Sequence, residues 1–168
     1  MVPADLADEE QRAHAAAAVL AADRVDILVN NAATVEPAGP TAGIAAVDMR
    51  LAFEINVVAP AALTAAVLPG MLEAGWGRVV NISSGIAASP AGMVRGNAYA
   101  TTKAALEAHT VNLAAELRGT GVTVNGYRPG GVDTAMQAWI RRQDPERIGA
   151  GLHERFNQNR PAARATGK

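Results

Sequence analysis

Three short runs of apolar, largely β-branched residues constrain the fold of this chain more than any other feature. They cover residues 25–30, 78–83 and 122–125. Each is too short for a helix and reads as a strand buried on both faces. Helical patterns separate them. The first, from Glu9 to Ala22, follows Asp8, an N-cap residue with Gln11 three positions on. The second, 45–73, carries Pro60 and Pro69 inside it, and the third, 98–118, stops at Gly119 and Gly121. A fourth starts after Asp144-Pro145 and ends near Phe156. Strand–helix alternation predicts an α/β fold, a doubly wound parallel sheet with flanking helices. Ligands of such sheets sit beyond the carboxyl ends of the strands. Three segments should therefore meet at one edge: Asn30-Asn31-Ala32-Ala33, Ser83-Ser84-Gly85 and Arg128-Pro129-Gly130-Gly131.

Composition narrows the function. A chain of 168 residues suits one domain with a real core. A net charge of −1 argues against nucleic-acid binding, and the absence of cysteine removes disulfides, thiol catalysis and Cys-ligated metals. His14, His109 and His153 are scattered without metal-ligand spacing, so no metal is expected. Every long apolar run is interrupted by Gly, Pro or charge, which argues against a membrane span. The acidic N-terminus lacks the basic region of a signal peptide, so a cytoplasmic location is expected. The basic stretch from Arg141 to Arg164 reads as a solvated face, and residues 157–168 as a flexible polar tail beyond a domain of residues 1–156.

Tyr99 and Lys103 lie four apart in the third helix, on one face and one turn apart. An isolated Tyr-x-x-x-Lys is more often a packed helix face with a snorkelling lysine. Here the chain uses arginine almost everywhere it needs a cation, and Lys103 is its only lysine before the terminal residue. An ammonium beside a phenol favours the phenolate and lowers its pKa, which suits a tyrosine acid or base. Ser84 follows the second strand, where it could cap a turn or donate to a substrate carbonyl oxygen. Asn56 sits inside the second helix, four residues before Pro60, which lacks the N–H that would bond the Asn56 carbonyl. A kink with a free carbonyl, able to hold a water near Lys103, is the expected result.

In this order the motifs resemble the classical short-chain dehydrogenase/reductase family, over roughly residues 5–134. Asn30-Asn31-Ala32-Ala33 is similar to the family's Asn-Asn-Ala-Gly signature, with Ala33 in place of glycine. Asn56, Ser84, Tyr99 and Lys103 match its catalytic tetrad. Ser84 lies slightly further from Tyr99 than is usual, which leaves Ser83 and Ser89 as alternatives. Pro129, Gly130, Val132 and Thr134 fall in the Pro-Gly-x-x-x-Thr segment that lies against the nicotinamide in the family. Asp5-Leu6 resembles the pair that contacts the adenine ring.

The resemblance implies a Rossmann-like domain using NAD or NADP to interconvert an alcohol and a carbonyl. Asp5, Asn30, Ala32, Tyr99, Lys103, Pro129, Gly130, Val132 and Thr134 would touch the cofactor. Ser84 would polarise the substrate oxygen, Tyr99 would move the proton, Lys103 would hold the ribose and lower the Tyr99 pKa, and Asn56 would link Lys103 to solvent. The partners implied are a small-molecule alcohol or carbonyl substrate and further copies of the chain, as a dimer or tetramer. Met136, Trp139 and Ile140 are candidates for an apolar substrate wall. The family's opening strand and Gly-rich turn have no counterpart, since no glycine precedes Gly39. The domain is therefore expected to be incomplete, truncated at the N-terminus and short of a final strand. The strand ending at Asn30 would become a sheet edge. The competing expectation is a non-catalytic member unable to bind dinucleotide on its own. An epimerase or dehydratase of the extended branch shares Tyr-x-x-x-Lys, but Asn-Asn-Ala with Asn-Ile-Ser-Ser favours the classical branch.

Overall fold

The computed structural model describes residues 1–130 and 132–158. Three strands form one parallel sheet in sequential order: β1 (Ile27–Asn30), β2 (Gly77–Ile82) and β3 (Val122–Tyr127). The register pairs Asn30 with Asn81 and Ile82 with Tyr127, so the strands end along a common edge. Helix α1 (Glu9–Ala22) precedes β1, and the Asp8 carboxylate accepts from both the Gln11 backbone and side-chain amides at 3.0 Å, as the sequence predicts. Helix α4 (Asn97–Glu116) connects β2 to β3.

The crossover from β1 to β2 runs without a break from Ala46 to Glu73, as α2 (Ala46–Phe53), a π-helical turn (Glu54–Val58) and α3 (Ala59–Glu73). The expected proline kink at Asn56 is thus resolved by one widened turn, in which the Ala59 N–H bonds the Glu54 carbonyl five residues back. This 28-residue run is long and apolar enough to cross a membrane, contrary to the sequence expectation. Its Asn56 and Thr64 are almost fully buried and hydrogen-bonded to protein partners, whereas Val47, Leu51, Val58 and Leu72 are exposed.

Burial alternates along the sheet. Leu28, Asn30, Val79, Asn81, Val122 and Val124 face α3 and α4. On the opposite face Ile27, Val29 and Tyr127 are exposed. Among the described residues, then, only one face carries helices, where the apolar strands predicted cover on both, and β1 is a sheet edge as expected. An apolar cluster of Val67, Met71, Val79, Leu113 and Leu117 fills the space between α3, α4 and the covered face. A second cluster, built on Val35, Ile86, Met93, Ile140, Ile148 and Leu152, lies at the carboxyl edge of the sheet. It recruits α5 (Ala135–Arg142), which the sequence reading did not resolve, and a helix expected to be single. That last helix is broken at Gly149, where φ is +90°, into α6 (Pro145–Ile148) and α7 (Ala150–Gln158). Gln158 ends the described chain, so most of the expected tail lies outside the described residues, and Asn157 is helical.

A polar ladder runs through the covered face. The Thr64 hydroxyl donates to the Pro60 carbonyl at 2.7 Å and accepts from Asn30 Nδ2 at 3.3 Å. Asn30 Nδ2 also donates to Asn81 Oδ1 at 2.8 Å, and Asn81 Nδ2 donates to the Thr110 hydroxyl at 2.9 Å. The Thr110 hydroxyl in turn donates to Leu106 O at 2.7 Å. Helix, strand, strand and helix are joined in one satisfied chain. Replacing Asn81 with Leu should destabilise the fold by roughly 2–4 kcal/mol, because Asn30 and Thr110 lose a partner they cannot replace with water. Urea unfolding followed by circular dichroism measures the loss.

Candidate active site

Every strand delivers its following segment to one cavity of about 720 Å³ at the carboxyl edge of the sheet. Asn31, Ala32 and Ala33 line it after β1, Ser83 and Ser84 after β2, and Pro129, Gly130, Val132 and Thr134 after β3. Tyr99 and Lys103 enter from α4. Gly131 lies outside the described residues. Two expected cofactor contacts are placed elsewhere. Asn30 turns inward into the ladder, and Asp5 lies outside the cavity wall, where its carboxylate accepts from the Ala7 N–H.

Lys103 is 2% exposed, and its Nζ donates to the Ile82 carbonyl at 2.7 Å. Burial lowers its pKa to about 8. The Nζ stands 5.8 Å from the centre of the Tyr99 ring. The sequence reading has this ammonium depress the Tyr99 pKa. In the structure the Tyr99 phenol is instead pushed up by burial, and a hydrogen bond with Ser84 only partly offsets that. The physical reason is that burial penalises the charged phenolate, while the Lys103 ammonium hydrogen-bonds to the Ile82 carbonyl and stands 5.8 Å from the ring centre. Tyr99 therefore keeps its proton at neutral pH. Of the three candidate serines, Ser84 is the one beside the phenol, and its Oγ also accepts from the Ile86 N–H at 3.4 Å. Ser89 does not line the cavity.

Asn56 is 1% exposed, and its side chain is a clamp. Its Oδ1 accepts from the Thr34 N–H at 2.8 Å, and its Nδ2 donates to Thr34 O at 2.8 Å and to the Thr102 hydroxyl at 2.9 Å. It thus fastens the segment after β1 to the residue beside Lys103. The π turn that presents it is tied to α1 by Arg12, 4% exposed, whose Nη2 lies 2.6 Å from Glu54 Oε1.

Sequence reasoning missed a second clamp. Glu107, one turn beyond Lys103, accepts from the Ser83 hydroxyl at 2.6 Å and from Arg128 Nε at 2.6 Å, and forms an ion pair with Arg128 Nη2 at 2.5 Å. The Arg128 guanidinium, helped by Ser83, holds the Glu107 carboxyl below its usual range against the opposing effect of burial. The pair anchors the start of the Pro129-Gly130 segment to α4. A Glu four residues after Lys103 and an Arg before Pro-Gly were the available signal. The basic C-terminal stretch is also less solvated than expected: Arg141 pairs with Asp133 at 2.6 Å, and Arg147 Nε donates to Ala38 O at 3.3 Å. Of the proposed apolar wall, Met136 and Ile140 line the cavity, whereas Trp139 packs against the same apolar cluster without lining it.

A parallel sheet with a Tyr–Lys helix crossing its carboxyl edge, and a serine beyond the end of the middle strand, belongs to a Rossmann-like fold. The family described as short chain dehydrogenase matches residues 1–145, and the chain belongs to that family. It is 35% identical over 128 residues to the acetoacetyl-CoA reductase of Cupriavidus necator, an alignment covering 76% of this chain and 51% of that protein. A short-chain dehydrogenase from Streptomyces avermitilis superposes with a TM-score of 0.77 at 34% identity, over 94% of this chain and 59% of the other. A metagenomic short-chain oxidoreductase in complex with NADP gives a TM-score of 0.71 at 29% identity, over 92% and 64%. The chain spans about half the length of the curated relatives it matches.

The buried lysine makes a pH signature. Its folded pKa of about 8 lies below the ordinary value of 10.5, so between those limits the unfolded chain holds more protons and stability rises with pH. Relative to Lys103→Met, the wild type should gain on the order of 3 kcal/mol across that window and nothing below it. Denaturant midpoints of both proteins at a series of pH values test this.

Proposed function

We propose that this site performs proton transfer in an NAD- or NADP-dependent oxidoreductase that interconverts an alcohol and a carbonyl. The observation that carries the reading is the meeting of Ser84, Tyr99 and Lys103 in one cavity with the segments after β1 and β3. The residues present fit a nicotinamide nucleotide. The cavity lies beyond the carboxyl ends of parallel strands, and a side chain added at Gly130 would meet no protein atom within 4 Å, so this surface is open to a flat ring. Lys103 Nζ has donors beyond the one spent on Ile82 O, suited to ribose hydroxyls.

The nicotinamide, when bound, supplies or accepts the hydride. In the reducing direction Ser84 Oγ–H donates to the substrate carbonyl oxygen. Tyr99 Oη gives that oxygen its proton as the carbon gains the hydride, and the product is the alcohol. The raised Tyr99 pKa supports this direction, because the acid stays loaded at neutral pH. Lys103 would hold the ribose hydroxyls with its remaining donors. Asn56 acts by positioning, through Thr34 and Thr102.

A second reading is favoured by one feature: no glycine occurs before Gly39, and the segment before β1 is a single capped helix rather than a Gly-rich strand–turn–helix. In that reading the chain on its own lacks the N–H cradle a pyrophosphate needs. We also propose a cytoplasmic homo-oligomer. Support comes from the exposed Val47 and Leu51 on α2 and Val111 on α4, and light scattering tests it.

Tyr99→Phe keeps the packing and removes the proton. It should lower kcat by about 10²–10⁴-fold in either direction with little change in cofactor affinity. Equal turnover by the variant overturns the proton-transfer role. Titrating NADH and NADPH by nicotinamide fluorescence separates the two readings. Micromolar affinity supports catalysis by the chain alone, and no binding at millimolar concentration supports the second reading.

A further inference from the structure

The substrate end of the cavity has a chemistry of its own. Its wall is formed by Val35, Ile86, Met93, Met136, Leu152 and Phe156. Among the described lining residues Lys103 is the only one with a charged side chain, and in the reading above its remaining donors hold the ribose. An ionised group on a substrate would be desolvated against methionine and phenylalanine without a counter-charge, at a large cost. One polar side chain interrupts the wall. Gln137 lines the cavity from α5, and its Oε1 is buried without a hydrogen-bond partner.

The position of Gln137 makes that orphan informative. Thr134 is the N-cap of α5, and its hydroxyl accepts from the Gln137 N–H at 3.3 Å. Thr-x-x-Gln is the sequence of a reciprocal capping box, in which the glutamine oxygen reaches back to the N–H of the cap residue. Here only half of the box is made. The glutamine oxygen is withheld from the helix end and left without a donor, closed off from solvent in a side chain that borders the cavity. A buried acceptor without a donor is costly and calls for a partner, a water or a ligand among the candidates.

We propose that Gln137 is a specificity-determining residue, and that the substrate is a neutral, largely apolar ketone or secondary alcohol carrying a second hydrogen-bond donor, a hydroxyl or an amide N–H. This rests on the oxidoreductase reading above and names its substrate class. The reacting oxygen lies between Ser84 and Tyr99, the apolar body lies against Met93, Met136 and Phe156, and the remote donor meets Gln137 Oε1 once that amide turns toward the cavity it borders. Unlike a hydrophobic wall, which discriminates weakly against an added hydroxyl, an unpaired buried acceptor discriminates strongly against its loss.

The test uses ω-hydroxy methyl ketones of increasing length, their O-methyl ethers, and the keto acids of matching length. The ethers keep the oxygen and remove only the donor. With the wild-type chain, kcat/KM for the best hydroxy ketone should exceed that of its ether by about 10-fold or more, and the keto acid should be poorer than both. In Gln137→Met, which keeps the length and removes the acceptor, the ratio of hydroxy ketone to ether should fall to about one. An unchanged ratio in the variant overturns the proposal. So does a variant whose melting temperature drops while the ratio holds, because that is the signature of a glutamine that closes the capping box. Binding of the same probes is read in parallel by saturation-transfer NMR. If no ketone is turned over, the proton-transfer reading fails by itself. The substrate-class proposal is then decided by binding: a preference for the hydroxy ketone that Gln137→Met abolishes supports it, and no preference overturns it.

Discussion

The hydrogen-bonded chain Thr64–Asn30–Asn81–Thr110 is the constraint on which the rest of the molecule depends. Asparagine in the middle of a buried strand is unfavourable unless each amide finds a partner. Here the two asparagines face each other across the β1–β2 pairing and are flanked by threonines from α3 and α4. A slip of β1 by one residue would send Asn30 to the open face and put Val29 or a bare amide in its place. The ladder therefore sets register, and with it the height at which β1 and β2 end. Those two ends carry Asn31 and Ser84 into the cavity.

Above the ladder, two polar clamps convert a common strand edge into a site. Asn56 fastens the segment after β1 to α4 through Thr34 and Thr102, and Glu107 fastens the segments after β2 and β3 to the same helix through Ser83 and Arg128. Both clamps bind α4 within one turn of Lys103, Thr102 beside it and Glu107 four residues on. Helix α4 thus serves as the rail against which the loops are aligned. Positional precision of this kind is what general acid chemistry requires of its surroundings.

Much of this was legible in the residues. The β-branched runs marked all three strands, Asp8 with Gln11 marked the start of α1, and Tyr-x-x-x-Lys with the segments after the strands marked the cavity. What escaped has physical causes. Burial on both faces could not be decided from strand composition, because an apolar residue such as Ile27 or Val29 reads alike whether covered or exposed. The π turn was read as a kink because Pro60 announces a missing donor without saying how the backbone accommodates it. The raised Tyr99 pKa escaped because spacing shows that two groups are neighbours and not how dry both are. The clamp of Glu107 and Arg128 joins residues 21 apart in sequence, and no local pattern encodes that pairing.

Lys103 has one more consequence, for chemical labelling. Arginine serves as the cation throughout the rest of the chain, so an amine-directed reagent finds only the α-amino group, Lys103 and the terminal Lys168. An exposed lysine is almost wholly protonated near neutrality and reacts slowly. With its pKa lowered to about 8, Lys103 holds a neutral, nucleophilic fraction there, at the wall of an apolar cavity. A small uncharged acylating reagent would accordingly carry a report from the interior of the site, and the fold that desolvates this ammonium sets it apart from an exposed lysine.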